Sequence, residues 1–213
     1  MKVALVAESF LPHSNGVTNS LLRIIDFLDS RGDEAMIIAP ESRGSEGPVR
    51  YGIASITRLP AMGWPGYGDV RVALSGVGKM SRILEEYDPD VVHLASPLTL
   101  GWTAVRAANE LDLPSVAVYQ TEVPSYAPRY HMAWGEGILW DRVRSIHQRA
   151  DLNLVPSTHA MRQLEQLDVP RLRLWQRGVD AERFAPSRAD AALKQSWAPE
   201  GHVVVGYVGR LAH

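Results

Sequence analysis

The residues able to do chemistry fall in six short polar segments: 8–16, 96–99, 120–124, 156–159, 177–180 and 209–210. Each follows an apolar run of strand length, and together they gather hydroxyls, amides and charges. The first is the richest, running Glu8-Ser9-Phe10-Leu11-Pro12-His13-Ser14-Asn15-Gly16. A helical period begins directly after it. The start of such a helix aims N–H groups and a partial positive charge at whatever lies above the preceding strand, which suits an anion. A side chain at Gly16 would hold that anion off the backbone. Asn15-Gly16 reads equally as a plain turn, and the local sequence leaves both readings open.

The elements that position these segments follow from periodicity. Residues 2–7 form an apolar run suited to a strand buried on both faces. Val17, Leu21, Ile24, Ile25 and Leu28 then mark one helix face, closed by Arg31 and a C′ glycine at Gly32. Further strands are predicted at 34–39, 50–53, 55–59, 91–95, 115–119, 151–155 and 171–175. Ala73, Val77, Met80, Leu84 and Tyr87 mark a second helix, and further helices are predicted from about Leu100, over 137–150 and after a Ser157 cap. Residues 61–69, with three glycines, Trp64 and Tyr67, read as an irregular loop. Strand and helix alternate throughout. That order predicts an α/β fold with a doubly wound, parallel, Rossmann-like sheet, whose ligands lie beyond the carboxyl ends of the strands. The polar segments all lie at that edge, whereas 32–33 and 88–90 at the opposite edge are plain reversals. The expected organisation is a domain over 1–180, a linker over 181–201 with one weak helix, and a strand opening a second unit over 202–213.

Three tempting motifs fall away. Asp88-x-Asp90 precedes its strand and reads as a turn rather than a metal pair. The first turn is not G-x-G-x-x-G, which argues against a nicotinamide site. The seven histidines lack metal-ligand spacing, and His93, inside a strand, reads as a core residue.

A net charge of −2 and a pI near 6.4 argue against nucleic acid as a main partner. The absence of cysteine excludes disulfides and thiolate chemistry and fits a reducing compartment. The apolar start is interrupted by Glu8 and reads as a strand rather than a signal peptide. No apolar run approaches the ~18 residues that span a bilayer. A soluble or peripheral chain is expected.

Six motifs then occur in a telling order: Glu8-Ser9-Phe10-Leu11-Pro12 with Asn15-Gly16-Val17, 88–93 (DPDVVH), Gln120-Thr121-x-Val123-Pro124, Ala150-Asp151 with Val155-Pro156-Ser157, Arg177-Gly178-Val179-Asp180, and 206–211 (GYVGRL). The series resembles the amino-terminal half of retaining GT-B glycosyltransferases of family 4, most of all the actinobacterial GDP-mannose-dependent α-mannosyltransferases of membrane glycolipids. The resemblance covers essentially the whole chain. It implies the acceptor half of a hexosyltransferase, with a nucleotide-diphosphate sugar, GDP-mannose, as donor substrate, no bound cofactor or metal, and a lipid or glycolipid acceptor. It also implies a cytoplasmic protein, peripheral on the inner face of the plasma membrane.

By the same resemblance, Asn15 and Gly16 approach the donor diphosphate, and Arg210 neutralises it as it departs. Gln120 stands where many members carry a histidine near the anomeric carbon. An amide hydrogen-bonds sugar hydroxyls but is neither acid nor base near neutral pH, which suits a mechanism assisted by the leaving diphosphate itself. Glu8, Ser9, Glu122, Tyr126, Arg129 and Tyr130 are the expected acceptor contacts. The family's donor-side carboxylates belong to a second domain. A non-catalytic sugar- or lipid-binding module, or a GT-B epimerase, would share the same fold.

Residues 126–149 concentrate Tyr, Trp, Arg and His. On the helix there, Leu139, Val143, Ile146 and Ala150 face inward, while Trp140, Arg144 and His147 form a second stripe. That stripe reads either as a contact for anionic headgroups or as a solvated face with a packed Trp.

Overall fold

The computed structural model describes residues 1–42, 47–64, 67–96, 98–120, 136–176, 178–199 and 202–208. The chain divides into two units, 1–176 and 177–213. In the first, an eight-stranded sheet runs in the order β10-β9-β8-β7-β1-β2-β4-β3. Its strands are β1 (Lys2–Val6), β2 (Glu34–Pro40), β3 (Arg50–Tyr51), β4 (Ala54–Leu59), β7 (Val91–Leu94), β8 (Ser115–Val118), β9 (Leu152–Val155) and β10 (Leu172–Leu174). All pairs are parallel except β3 with β4.

The sheet is doubly wound because β1 is buried on both faces. Val3, Leu5 and Ala7 pack with Leu21, Ile25 and Leu28 of α1 (Gly16–Ser30). Ala4 and Val6 point the other way, against α2 (Val77–Tyr87) through Met80 and Leu84, and α3 (Thr99–Glu110) through Leu100 and Ala104. Alternation along one strand thus supplies two cores. A third cluster joins Tyr119, Val143 of α4 (Glu136–Arg149), Val155 and Leu164 of α5 (Thr158–Glu165). From β1 the chain builds outward through β2 and β4, then returns to β7 and builds the other way. The crevice between β1 and β7 is therefore the switch point of the sheet, where a ligand is expected.

Several local expectations are met in detail. Gly32 adopts φ +71 after α1, and Ser157 Oγ accepts from Ala160 N–H at 3.1 Å at the start of α5. Asp90 Oδ2 accepts from Lys2 N–H at 2.7 Å, so the 88–90 turn carries a structural carboxylate. Other expectations are corrected. The glycine-rich stretch expected as an irregular loop forms an antiparallel hairpin, β5 (Ala61–Trp64) with β6 (Tyr67–Ala73), its register shifting at Gly63/Trp64. The final strands are shorter than 50–53 and 171–175, because Gly52 turns at φ +53 and pairing on β10 ends at Leu174. In the second unit, α6 (Ala191–Trp197) matches the expected weak helix. The strand expected from residue 202 is not formed over 202–208, where the chain has no ladder partner and Val203, Val205 and Val208 are exposed.

Candidate functional site

Three strand ends meet at the switch point. Ala95, just past β7, donates its N–H to Val6 O of β1 at 2.9 Å. Its carbonyl accepts from Gln120 Nε2, just past β8, at 3.0 Å. The loop after β1 is pinned above them by Phe10, which is buried in the α1-side core. Arg58 reinforces it, donating to Leu11 O and, at 3.1 Å, to Pro40 O.

Asn15 caps α1. Its Oδ1 accepts from Val17 N–H at 3.0 Å and Thr18 N–H at 2.9 Å, while its Nδ2 donates to Ser9 Oγ at 2.9 Å. Asn19 N–H already reaches Asn15 O. Of the four first-turn amides, only that of Gly16 then lacks a partner among the described residues. The open helix start expected from the sequence is reduced to a single amide, because its own cap occupies the others. Asn15 and Ser9 are each other's partners at this edge.

Glu8 does something the sequence did not suggest. Its Oε1 accepts from Leu100 N–H at 2.5 Å and Gly101 N–H at 3.4 Å, and its own N–H donates to Ser96 Oγ at 3.4 Å. The α3 N-cap residue, Leu98, has no side chain able to do this. Expected as an acceptor contact, Glu8 commits one carboxyl oxygen to α3. Burial pushes its pKa up to about 7, opposed by the Leu100 and Gly101 amides and by the Arg142 guanidinium. Gly101 completes the arrangement: a Cβ there would lie 2.2 Å from Ser96 O. Sequence reasoning passed over Gly101, although an isolated glycine within a helical period is the signal for a close approach.

Beside Glu8 a small depression is lined by Glu8, Ser9, His13, Glu41, Ser42 and Arg71, with Phe10 and Pro40 as its apolar walls. Arg71 was also missed. It comes from β6 of the unexpected hairpin and donates to Ala61 O at 2.5 Å. Carboxylates, hydroxyls, an imidazole and a guanidinium in one depression suit a polyhydroxylated or charged ligand.

The stripe on α4 is corrected. Val143, Ile146 and Ala150 are buried as expected, but so is His147. Its Nδ1 lies 2.8 Å from Asn153 Oδ1, and burial holds its pKa down at about 4. His147 is a neutral core residue and meets no headgroup. Arg144 pairs with Asp168 at 3.1 Å, and Trp140 packs against the Tyr119 cluster. Arg142 lies 4.4 Å from the Trp102 ring centre, with Arg106 at 4.6 Å from the same ring. His93 has its pKa lowered to about 4 by burial, as fits a core histidine. Glu122, Tyr126, Arg129, Tyr130 and Arg210 lie outside the described residues, as do the side chains of Trp64 and Tyr67. Among the described residues no helix is long and apolar enough to cross a membrane.

Comparison with known proteins fits this geometry. A GDP-mannose-dependent α-mannosyltransferase of Mycolicibacterium smegmatis is 44% identical over the whole chain, which spans 57% of that protein. A GDP-mannose-dependent α-(1-6)-phosphatidylinositol dimannoside mannosyltransferase of Mycobacterium tuberculosis is 25% identical over the whole chain, which spans 55% of it. The chain thus covers little more than half the length of these relatives. Among solved structures, sucrose-phosphate synthase from Thermosynechococcus elongatus superposes with a TM-score of 0.64 at 14% identity, covering 92% of this chain and 52% of that one. That likeness establishes the fold, the amino-terminal half of a GT-B architecture. The model of Glycosyltransferase Family 4 matches residues 14–183, from the loop that closes over β1 to beyond β10. This chain belongs to glycosyltransferase family 4.

Proposed function

We propose that the chain is the acceptor-side half of a retaining mannosyltransferase that takes mannose from GDP-mannose and delivers it to a glycolipid. The observation that carries this reading is the junction of strand ends at the β1/β7 switch point, where Gln120 Nε2 rests on Ala95 O and the Glu8 carboxyl takes the start of α3, on a chain whose relatives are named for GDP-mannose. The acceptor domain is taken as 1–180, the linker as 181–201, and 202–213 as the opening of the donor half. The acceptor is a lipid-borne polyol, and the protein works at the cytoplasmic face of the membrane as a peripheral enzyme.

The chemistry assigned to the residues is simple. Departure of the diphosphate builds negative charge, which the Gly16 amide and Arg210 stabilise. Gln120, oriented by its bond to Ala95 O, holds a donor sugar hydroxyl through its amide. An amide moves no proton at neutral pH, so the oxygen of the departing diphosphate takes the acceptor's proton.

The complete gene product tests this directly. Transfer of labelled mannose from GDP-mannose to an extracted glycolipid fraction, with the α-anomer retained in the product by NMR, is expected. No transfer, or an inverted product, would overturn the reading. Gln120→Ala should lower the rate about fivefold, the worth of one neutral hydrogen bond at ~1 kcal/mol. A near-neutral ionisation in the pH–rate profile that vanished with this substitution would contradict its role.

A further inference from the structure

We propose that Glu8 is a positioning residue for Gln120: its carboxyl sets the start of α3, and the α3 start sets the Ala95–Ser96 step on which the Gln120 amide rests. The path is continuous. Glu8 Oε1 holds the Leu100 and Gly101 amides. Gly101 lies so close to Ser96 O that a single methyl group would not fit between them. Ser96 Oγ accepts from Glu8 N–H, which fixes the same step from the β1 side. Ala95 then offers its carbonyl to Gln120 Nε2. A shift of the α3 start therefore reaches Gln120 through backbone contacts rather than through a flexible side chain.

Such a device is sensitive to the charge of the carboxyl. An ionised carboxylate accepts far more strongly from two amides at a helix start than a neutral acid does. The groups that face it are Arg142 of α4, which favours the ionised form, and His13, Glu41 and Arg71 around the neighbouring depression. Burial raises the carboxyl toward neutrality, so the two charge states exchange within the working range of a cell. Proton uptake loosens the α3 start and shifts the Ala95 carbonyl on which the Gln120 amide rests. In transfer, this deepens the role proposed above for Gln120; the coupling itself does not depend on transfer.

The test is an NMR titration of the ¹⁵N-labelled chain across neutrality. The backbone amides of Leu100 and Gly101 and the side-chain amide of Gln120 are expected to shift together with one midpoint near neutral pH. Glu8→Gln, neutral at every pH, should leave all three amides at the low-pH positions of the unsubstituted chain, with no titration. Glu8→Asp, one methylene shorter, should displace them. If Leu100 and Gly101 titrate while Gln120 stays still, Glu8 is a helix cap only and the proposal fails. It also fails if the Gln120 shift persists in Glu8→Gln, or if none of the three amides of the unsubstituted chain titrates near neutrality. In the complete gene product, Glu8→Gln should remove the matching limb from the pH profile of kcat while leaving the KM for GDP-mannose unchanged. Absence of transfer in every variant would refute the mannosyltransferase reading and leave the NMR result standing.

Discussion

Two helices begin at the same edge of the sheet and are finished in opposite ways. The start of α1 is closed by its own neighbour, Asn15, whose neutral amide takes the Val17 and Thr18 N–H groups at the surface. The start of α3 has only Leu98 at its cap position and takes its acceptor from Glu8, a carboxyl 92 residues earlier in the chain. The first cap contributes local helix stability and is insensitive to pH. The second joins two strand ends, is enclosed, and carries a charge that costs free energy to keep there. A local cap stabilises one element, whereas a remote one makes the relative placement of several elements depend on a single side chain.

The sharpest way to break this contrast is at Gly101. Gly101→Ala places a Cβ 2.2 Å from a backbone oxygen, which no rotamer change relieves, and should cost about 3 kcal/mol in urea denaturation. An equivalent exposed position such as Gly78, where nothing lies within 4 Å of an added Cβ, should gain slightly from the same change. A loss at Gly101 no larger than the change at Gly78 would show that the α3 start is not held closely.

The next effect separates the caps by pH. The Glu8 carboxyl titrates at about 7 in the folded chain against an ordinary value of 4.5. Its contribution to stability is therefore fully present below pH 4.5 and is lost as the pH rises through 7. The folded chain should give up as much as about 3 kcal/mol over that window. Glu8→Gln should lack this decline and be the more stable protein at alkaline pH. Denaturation curves of the two proteins at a series of pH values measure the difference, and parallel pH dependences would place the carboxyl in water instead.

The smallest effect belongs to the local cap. Asn15→Ala should cost about 1 kcal/mol, equally at every pH where Asn15 is the only change. A pH-dependent loss would tie Asn15 to the charged network and blur the contrast with Glu8.

Asn15, Gly16 and the period from Val17 lie within a few residues of each other, so propensity and spacing made α1 and its start legible directly. The same holds for the alternation of strands and helices, for the sheet edge that carries the polar segments, and for Gly32 and Ser157 as terminators, since each rests on contacts within a turn. Nothing near Leu100 or Gly101 names Glu8 as their partner, because a carboxyl is an equally good surface residue until β1 and β7 are laid side by side. His147 reads as a member of a polar stripe until Asn153 meets it in the core. Arg71, two residues past the stretch read as an irregular loop, carries no sign of its place until β5 and β6 pair and bring it beside Glu8. The sequence by itself determined most of the elements, their order and the sheet edge that gathers the polar segments, because local backbone preferences and apolar periodicity decide those. Only the tertiary structure decided which polar groups at that edge are occupied in holding the fold and which remain to meet a substrate, because hydrogen-bond partners separated by ninety residues are chosen by how strands pair, not by spacing.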